Sequence, residues 1–276
     1  MKRTLLIPSL VTLLVGGTLN TSASVLFGVR FAGLTDLYEL DQTSGSLSSI
    51  GPSGRDGIGD LTSDTRPGSQ RIWGIRISEN RLYEFNPATG AGTPGAVLNS
   101  PDNMVSLAFD PVGGRLYGNT SLGFGAPFDA LYEIDPATGN STFIGRIGFH
   151  NVYALAFDQA GQLFGVSDES NEFISISTAT GNGALIAPLP LSFSFDIASR
   201  PEDNTMFLAD SGTFSLYTID TANGLTALVG PYSQSENIVG LAFSAIPEPS
   251  TLASAGLLAG LAVGSHLWRR RRAARS

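Results

Sequence analysis

The chain has 276 residues, of which 42% are apolar and 33 are glycine, enough for one large, turn-rich folded domain and unlike a disordered polymer. It contains no cysteine, which excludes a disulfide framework and any thiol nucleophile. Two basic residues lie at positions 2 and 3 and five between 269 and 275, so that residues 24–246 hold nine arginines against 23 acidic residues; that body carries about −14 by formal counting, which disfavours nucleic acid and anionic lipid and is compatible with cations or neutral sugars.

The first segment, residues 1–23, reads Lys2-Arg3, then an apolar run from Leu5 to Val15, then small and polar residues up to Thr21-Ser22-Ala23. That order predicts a helical secretory signal peptide cleaved after Ala23, with a permanent membrane anchor as the alternative; Pro8 and Gly16-Gly17 argue against a rigid span.

Residues 24–246 are organised by one motif used five times: Leu37 to Gly45 (LYELDQTSG), Leu82 to Gly90 (LYEFNPATG), Leu131 to Gly139 (LYEIDPATG), Phe173 to Gly181 (FISISTATG) and Leu216 to Gly224 (LYTIDTANG). Each is a strand followed by a tight reversal, in which Asp or Asn opens the turn and glycine closes it with φ > 0. Successive copies begin 45, 49, 42 and 43 residues apart, the repeat length of a β-propeller blade.

Three further landmarks recur in each unit. Predicted inner strands run Ile58 to Asp64, Met104 to Asp110, Val152 to Asp158, Ser194 to Arg200 and Ile238 to Ser244. They carry Leu61, Leu107, Leu155, Ile197 and Leu241 in equivalent places, each followed by Thr62 or by alanine, as expected where sheets converge on an axis. A second strand holds Leu26-Phe27-Gly28, Ile72-Trp73-Gly74, Leu116-Tyr117-Gly118, Leu163-Phe164-Gly165 or Met206-Phe207-Leu208, and a fourth ends near Ile50, Val97, Ile144, Ile186 or Val229. The body begins with a second strand and ends with a lone inner strand, so pairing the last with the first completes a fifth four-stranded blade and hides two sheet edges. Irregular spacing around Gly51 to Gly68 and Gly118 to Phe128 marks two candidate functional loops and leaves a differently counted ring as the alternative. The repeat lacks the signatures of WD40 and kelch propellers and looks like the generic repeats of bacterial secreted propellers, a resemblance that implies a fold and no ligand.

Candidate chemistry is sparse. The sequence has no P-loop, no G-x-S-x-G elbow and no metalloprotease His-Glu pair. The best catalytic candidates are Asp60 and Asp196, at equivalent positions before the inner-strand aliphatic, where the other units have Ser106, Ala154 and Gly240. Two acids near an axis could act as acid and base in glycoside cleavage, or else accept bonds from nearby backbone. His150 is the single histidine of the body and stands in a loop. Asp41, Asn86, Asp135 and Asp220 open hairpin turns, where their side chains bond backbone two residues on. The acidic loop Asp168 to Glu172 is too sparse to assign a calcium site. No metal ligand set and no cofactor are expected.

The last segment, residues 247–276, has three parts: Pro247-Glu248-Pro249, an apolar run from Thr251 to Trp268 long enough for a transmembrane helix, and a basic stop-transfer cluster, Arg269, Arg270, Arg271 and Arg272. This tail resembles the PEP-CTERM sorting signal of exported proteins in Gram-negative bacteria. The resemblance covers about the last thirty residues. It implies recognition by an exosortase-type membrane protease, transient anchoring in the inner membrane and delivery to the cell surface or an extracellular polysaccharide matrix. An uncut single-pass anchor is the alternative.

The sequence therefore predicts an all-β fold: a five-bladed β-propeller with four-stranded blades closed by the C-terminal strand, flanked by an N-terminal signal helix and a C-terminal transmembrane helix over 251–268. The expected role is a non-enzymatic interaction or structural module, with a glycoside hydrolase or a lectin-like sugar- or cation-binding module as alternatives.

Overall fold

Each of the five repeated segments folds as the hairpin that joins the third strand of a blade to its outermost one. The structure is a computed structural model that describes residues 23–244 except 32, 34, 70, 122–127 and 233–236. Blade one contains β1 (Leu26–Arg30), β2 (Asp36–Leu40) and β3 (Leu47–Pro52), and blade two contains β4 (Ile58–Ser63), β5 (Ile72–Arg76), β6 (Arg81–Phe85) and β7 (Gly92–Val97). Blade three is β8 (Met104–Asp110), β9 (Arg115–Thr120), β10 (Ala130–Ile134) and β11 (Ser141–Arg146); blade four is β12 (Val152–Phe157), β13 (Leu163–Ser167), β14 (Glu172–Ile176) and β15 (Gly183–Pro188). Blade five is β16 (Ser194–Ser199), β17 (Met206–Asp210), β18 (Ser215–Ile219) and β19 (Thr226–Pro231). The remaining strand, β20 (Ile238–Phe243), pairs antiparallel with β1, with Leu26 opposite Phe243 and Gly28 opposite Leu241. All five sheets are thus four-stranded, and the inner strands β4, β8, β12, β16 and β20 pack side by side into a closed ring.

The core lies between blades. The inner-strand phenylalanine of one blade meets the second-strand aromatic of the blade before it: Phe109 stacks on Trp73 at 5.4 Å, Phe157 packs on Tyr117 at 5.3 Å and Phe243 on Phe207 at 5.5 Å. All six rings are buried, so the Leu-Ala-Phe pattern of the inner strands is what fastens one sheet to the next.

The hairpin glycines do a second job besides closing their turns. Gly139 has φ 82° and donates its N–H to the Asp135 carbonyl at 2.8 Å, and a Cβ built on it would overlap the Val97 carbonyl of blade two. Gly45, Gly90 and Gly181 make the same approach to the backbone of Gly230, Gly51 and Gly145, and Gly224 packs against the Ala187 Cβ, each on the outermost strand of the preceding blade. The turns therefore form a ring of close contacts around the perimeter. Gly139→Ala is expected to destabilise the protein by about 2–3 kcal/mol, from the left-handed backbone and the overlap together. Gly148→Ala, at φ 83° with open space around it, should lose only the backbone part, about 1 kcal/mol. Urea unfolding of the two variants measures the difference, and equal losses would rule out a docking role for the turn.

Two expectations need correction. The flanking helices do not belong in the fold class: among the described residues the helical element is the 3-10 turn Ile77–Glu79, and no helix is long and apolar enough to cross a membrane. A single turn is far short of the ~20 residues a span requires. Ala23, the end of the expected signal helix, is described and not helical, whereas the rest of that segment and the expected transmembrane helix over 251–268 lie outside the described residues. The fold class is the five-bladed propeller alone. The second correction is local. Val97 is not the equivalent of Ile50, Ile144, Ile186 and Val229, because it pairs with Arg81 and is half exposed, and Gly95 stands in that place. Pro94 and a wider bulge in β7 shift the register.

Candidate functional site

The inner edge of every blade faces the axis, and an inner strand has no neighbour there to accept its N–H groups. Asp60 and Asp196 supply acceptors. Asp60 accepts the N–H of Leu61 at 2.6 Å and that of Leu107, on the next inner strand, at 2.5 Å. Asp196 repeats the arrangement with Ile197, at 2.7 Å, and Leu241. Each carboxyl group therefore clamps its own strand to the following one.

The two side chains also meet at the axis, in hydrogen-bonding contact with each other and with no exposed surface. Burial raises both above the carboxylate range: Asp60 is pushed up to about 7 although the Asp196 contact and the backbone N–H groups pull it down, and the neighbouring Asp60 charge raises Asp196 further. The pair shares a proton, as like charges at contact distance must. A glycosidase needs its carboxyl groups ~5–9.5 Å apart with sugar or water between them. Here they touch each other, and neither lines the cavities on either side. The arrangement matches a structural clamp.

One residue nearer the start of each inner strand, the pairing slips. Register shifts fall between Ile58 and Asp60, Met104 and Ser106, Val152 and Ala154, and Ser194 and Asp196, and β20 shows the same slip around Val239. A bulge re-aims the extra residue. Gly59, Val105, Tyr153 and Val239 accordingly line a cavity of about 390 Å³ at one end of the axis, together with Phe31, Ile77 and Asn237. Its walls are mainly apolar; the lining residue Asn237 has a buried Oδ1 without a hydrogen-bond partner among the described residues. On the far side of the carboxyl pair a pocket of about 30 Å³ opens between Thr62, Thr65, Pro111, Gln159 and Ser199.

The other expected residues are scattered. His150 packs on Phe128 with ring centroids 4.6 Å apart, beside a shallow cavity of about 290 Å³ that also touches Glu169 and Glu172. Asp129 is buried nearby, and burial pushes its carboxyl up to about 6. Ser167 Oγ donates to the His150 carbonyl, so no serine of that cavity is bonded to the imidazole among the described residues. Asp168 accepts the Phe193 N–H at 2.9 Å. Among the described residues no three acidic or histidine side chains converge as a metal site. Asp41, Asn86, Asp135 and Asp220 accept N–H groups two residues on, at 2.8–2.9 Å, as their turn position predicts. Pro247, Glu248, Pro249 and Arg269 to Arg272 lie outside the described residues.

The cavity residues were not singled out by sequence. A signal was present: in the four inner strands that line the cavity, the register position two before the aliphatic holds Gly59, Val105, Tyr153 and Val239. Such variation in size at one repeated position is what a side chain facing open space permits and a packed interface forbids.

Neither a family model nor a curated protein sequence matches the chain. Among solved structures it is similar to a chain of a nidogen–laminin complex, with TM-score 0.58 and 11% identity over 82% of this chain and 100% of that one. It is also similar to a structural-genomics protein of unknown function from Bacteroides thetaiotaomicron VPI-5482, with TM-score 0.45 and 15% identity over 76% of this chain and 65% of that one. The first likeness supports the propeller fold and carries nothing about ligand or partner.

Proposed function

We propose that this chain is an exported, non-enzymatic β-propeller that serves as an interaction module at the cell surface or in an extracellular polysaccharide matrix. One geometric observation carries the reading. The two ends of the described chain leave together from one face: Val25 N–H donates to Ser244 Oγ at 2.8 Å and Ser244 N–H to the Val25 carbonyl at 2.8 Å. The inner strands start at the opposite face, where the axial cavity opens. Anything attached through either end therefore leaves the cavity face free.

The address comes from sequence. Residues 1–23 have the composition of a cleaved leader, and Pro247-Glu248-Pro249, an apolar run and Arg269 to Arg272 stand in the order of a PEP-CTERM signal. In this reading an exosortase-type protease acts near Pro247-Glu248-Pro249 during passage through the inner membrane of a Gram-negative cell. The acidic, lysine-free body fits a life in solution outside the cell. The non-catalytic role is supported by the burial and mutual contact of Asp60 and Asp196.

Mass spectrometry of the protein from cell-surface and medium fractions of its host tests the address. The expected mature protein starts at Ser24 and has lost Arg269 to Arg275. Recovery from the cytoplasm with both ends intact would refute export.

A further inference from the structure

The geometry points to a small-molecule site in the axial cavity: we propose that it takes a neutral ligand with an apolar body and one N–H or O–H donor. The inference holds whether or not the protein is exported.

Four features define the ligand. The volume, about 390 Å³, is that of a site for a small organic molecule. The walls come from Val105, Val239, Ile77, Phe31 and the ring of Tyr153. Sugar hydroxyls against such walls would lose water without gaining partners, so an apolar body is favoured over a saccharide. The Ile77 side chain occupies the place where a Cβ on Gly59 would stand, which closes the wall where β4 presents a glycine.

The third feature is Asn237. Its Oδ1 is buried and, among the described residues, has no partner; a turn of the amide toward the cavity it lines would let a donor on the ligand satisfy it. The fourth is charge. The body carries about −14, and no described arginine lines the cavity to pair with an anion, so a neutral ligand is favoured over an anion.

The bulges make the cavity a product of the repeat itself. Every inner strand slips at the same register position, and four of the extra residues, Gly59, Val105, Tyr153 and Val239, line one end of the axis.

The test uses residues 24–246 and 2-naphthol, a neutral fluorescent ring with one O–H, titrated at about pH 6. Binding is expected with Kd on the order of 10–100 µM. 2-Methoxynaphthalene, which lacks the donor, should bind about tenfold more weakly, the worth of one hydrogen bond to a buried acceptor. Naphthalene-2-sulfonate should not bind. Asn237→Leu should erase the preference for the naphthol over its ether. Val105→Trp should fill the cavity and abolish binding, with Val239→Trp as the substitute if the first variant misfolds; thermal melts confirm the fold. Absence of naphthol binding, equal affinity of the ether, preference for the sulfonate, or binding unchanged in the tryptophan variants would each overturn the assignment.

Discussion

The folded protein should lose stability as the pH rises from about 4 to about 8, by at least the ~4 kcal/mol that Asp60 contributes by itself. In the unfolded chain this carboxyl group releases its proton near its ordinary value of 3.8, whereas in the folded state burial holds the proton up to about 7. Between those values the native state keeps a proton that the unfolded state has shed. The stabilisation is therefore complete below about pH 4 and is lost as the pH passes about 7. Asp196, also raised by burial, and Asp129, raised to about 6, act in the same direction.

Below about pH 4 the sign reverses. The Asp41 carboxyl is held down by bonds from Thr43 and Ser44, and that of Asp203 by the Arg200 guanidinium; their contribution fades as acid protonates them. Stability should thus peak near pH 4–5, on the acid side of the usual optimum. For a domain of this size the change amounts to roughly 10 °C in Tm. Asp60→Ala should be less stable at about pH 5, because the Leu61 and Leu107 N–H groups lose their acceptor at about 1–3 kcal/mol each, and should show a much shallower slope toward pH 8. Calorimetry across this range decides the matter. A wild-type Tm that is flat or rises from about pH 5 to 8 would mean that the pair is not buried as described.

Removing β20 should abolish the cooperative fold. Ile238, Leu241 and Phe243 are each at most 1% exposed, and burying three such side chains is worth about 5–9 kcal/mol, comparable with the whole stability of a domain. The deletion also strips β1 of its partner, frees the Leu241 N–H from Asp196 and opens the ring between β16 and β4. A chain ending at Asn237 is expected to give no sharp thermal transition by circular dichroism, whereas one ending at Ser244 should melt like residues 24–246. A synthetic peptide covering 237–244 should restore part of the transition when added in excess. A truncated chain with an unchanged melt would disprove closure by this strand.

Much of this architecture could be read before any coordinates. The hairpin glycines announced themselves through their fixed offset, because a left-handed turn residue docked against another backbone tolerates no side chain. Met104–Asp110 was legible to the residue, and the other inner strands to within one. In blade two the fourth strand ends at Val97 as read, but its register was misassigned, because a Pro-Gly pair replaced the apolar marker. The site was harder. Inner strands are buried on both faces, so no alternation of apolar and polar residues betrays the extra residue of a bulge. That Asp60 and Asp196 occupy equivalent positions was visible; that blades not adjacent in the ring bring them into contact across the axis depends on ring closure, which no local pattern encodes.

The partner of β1 is also the last of the described strands to be synthesised, and Val25 meets Ser244 across 219 positions of chain. No shorter nascent product can close the ring, since four finished sheets still leave a gap that only residues 238–243 fill. A growing chain therefore stays open until its final strand has been made, so closure of the ring is the last step that the chain's own connectivity permits.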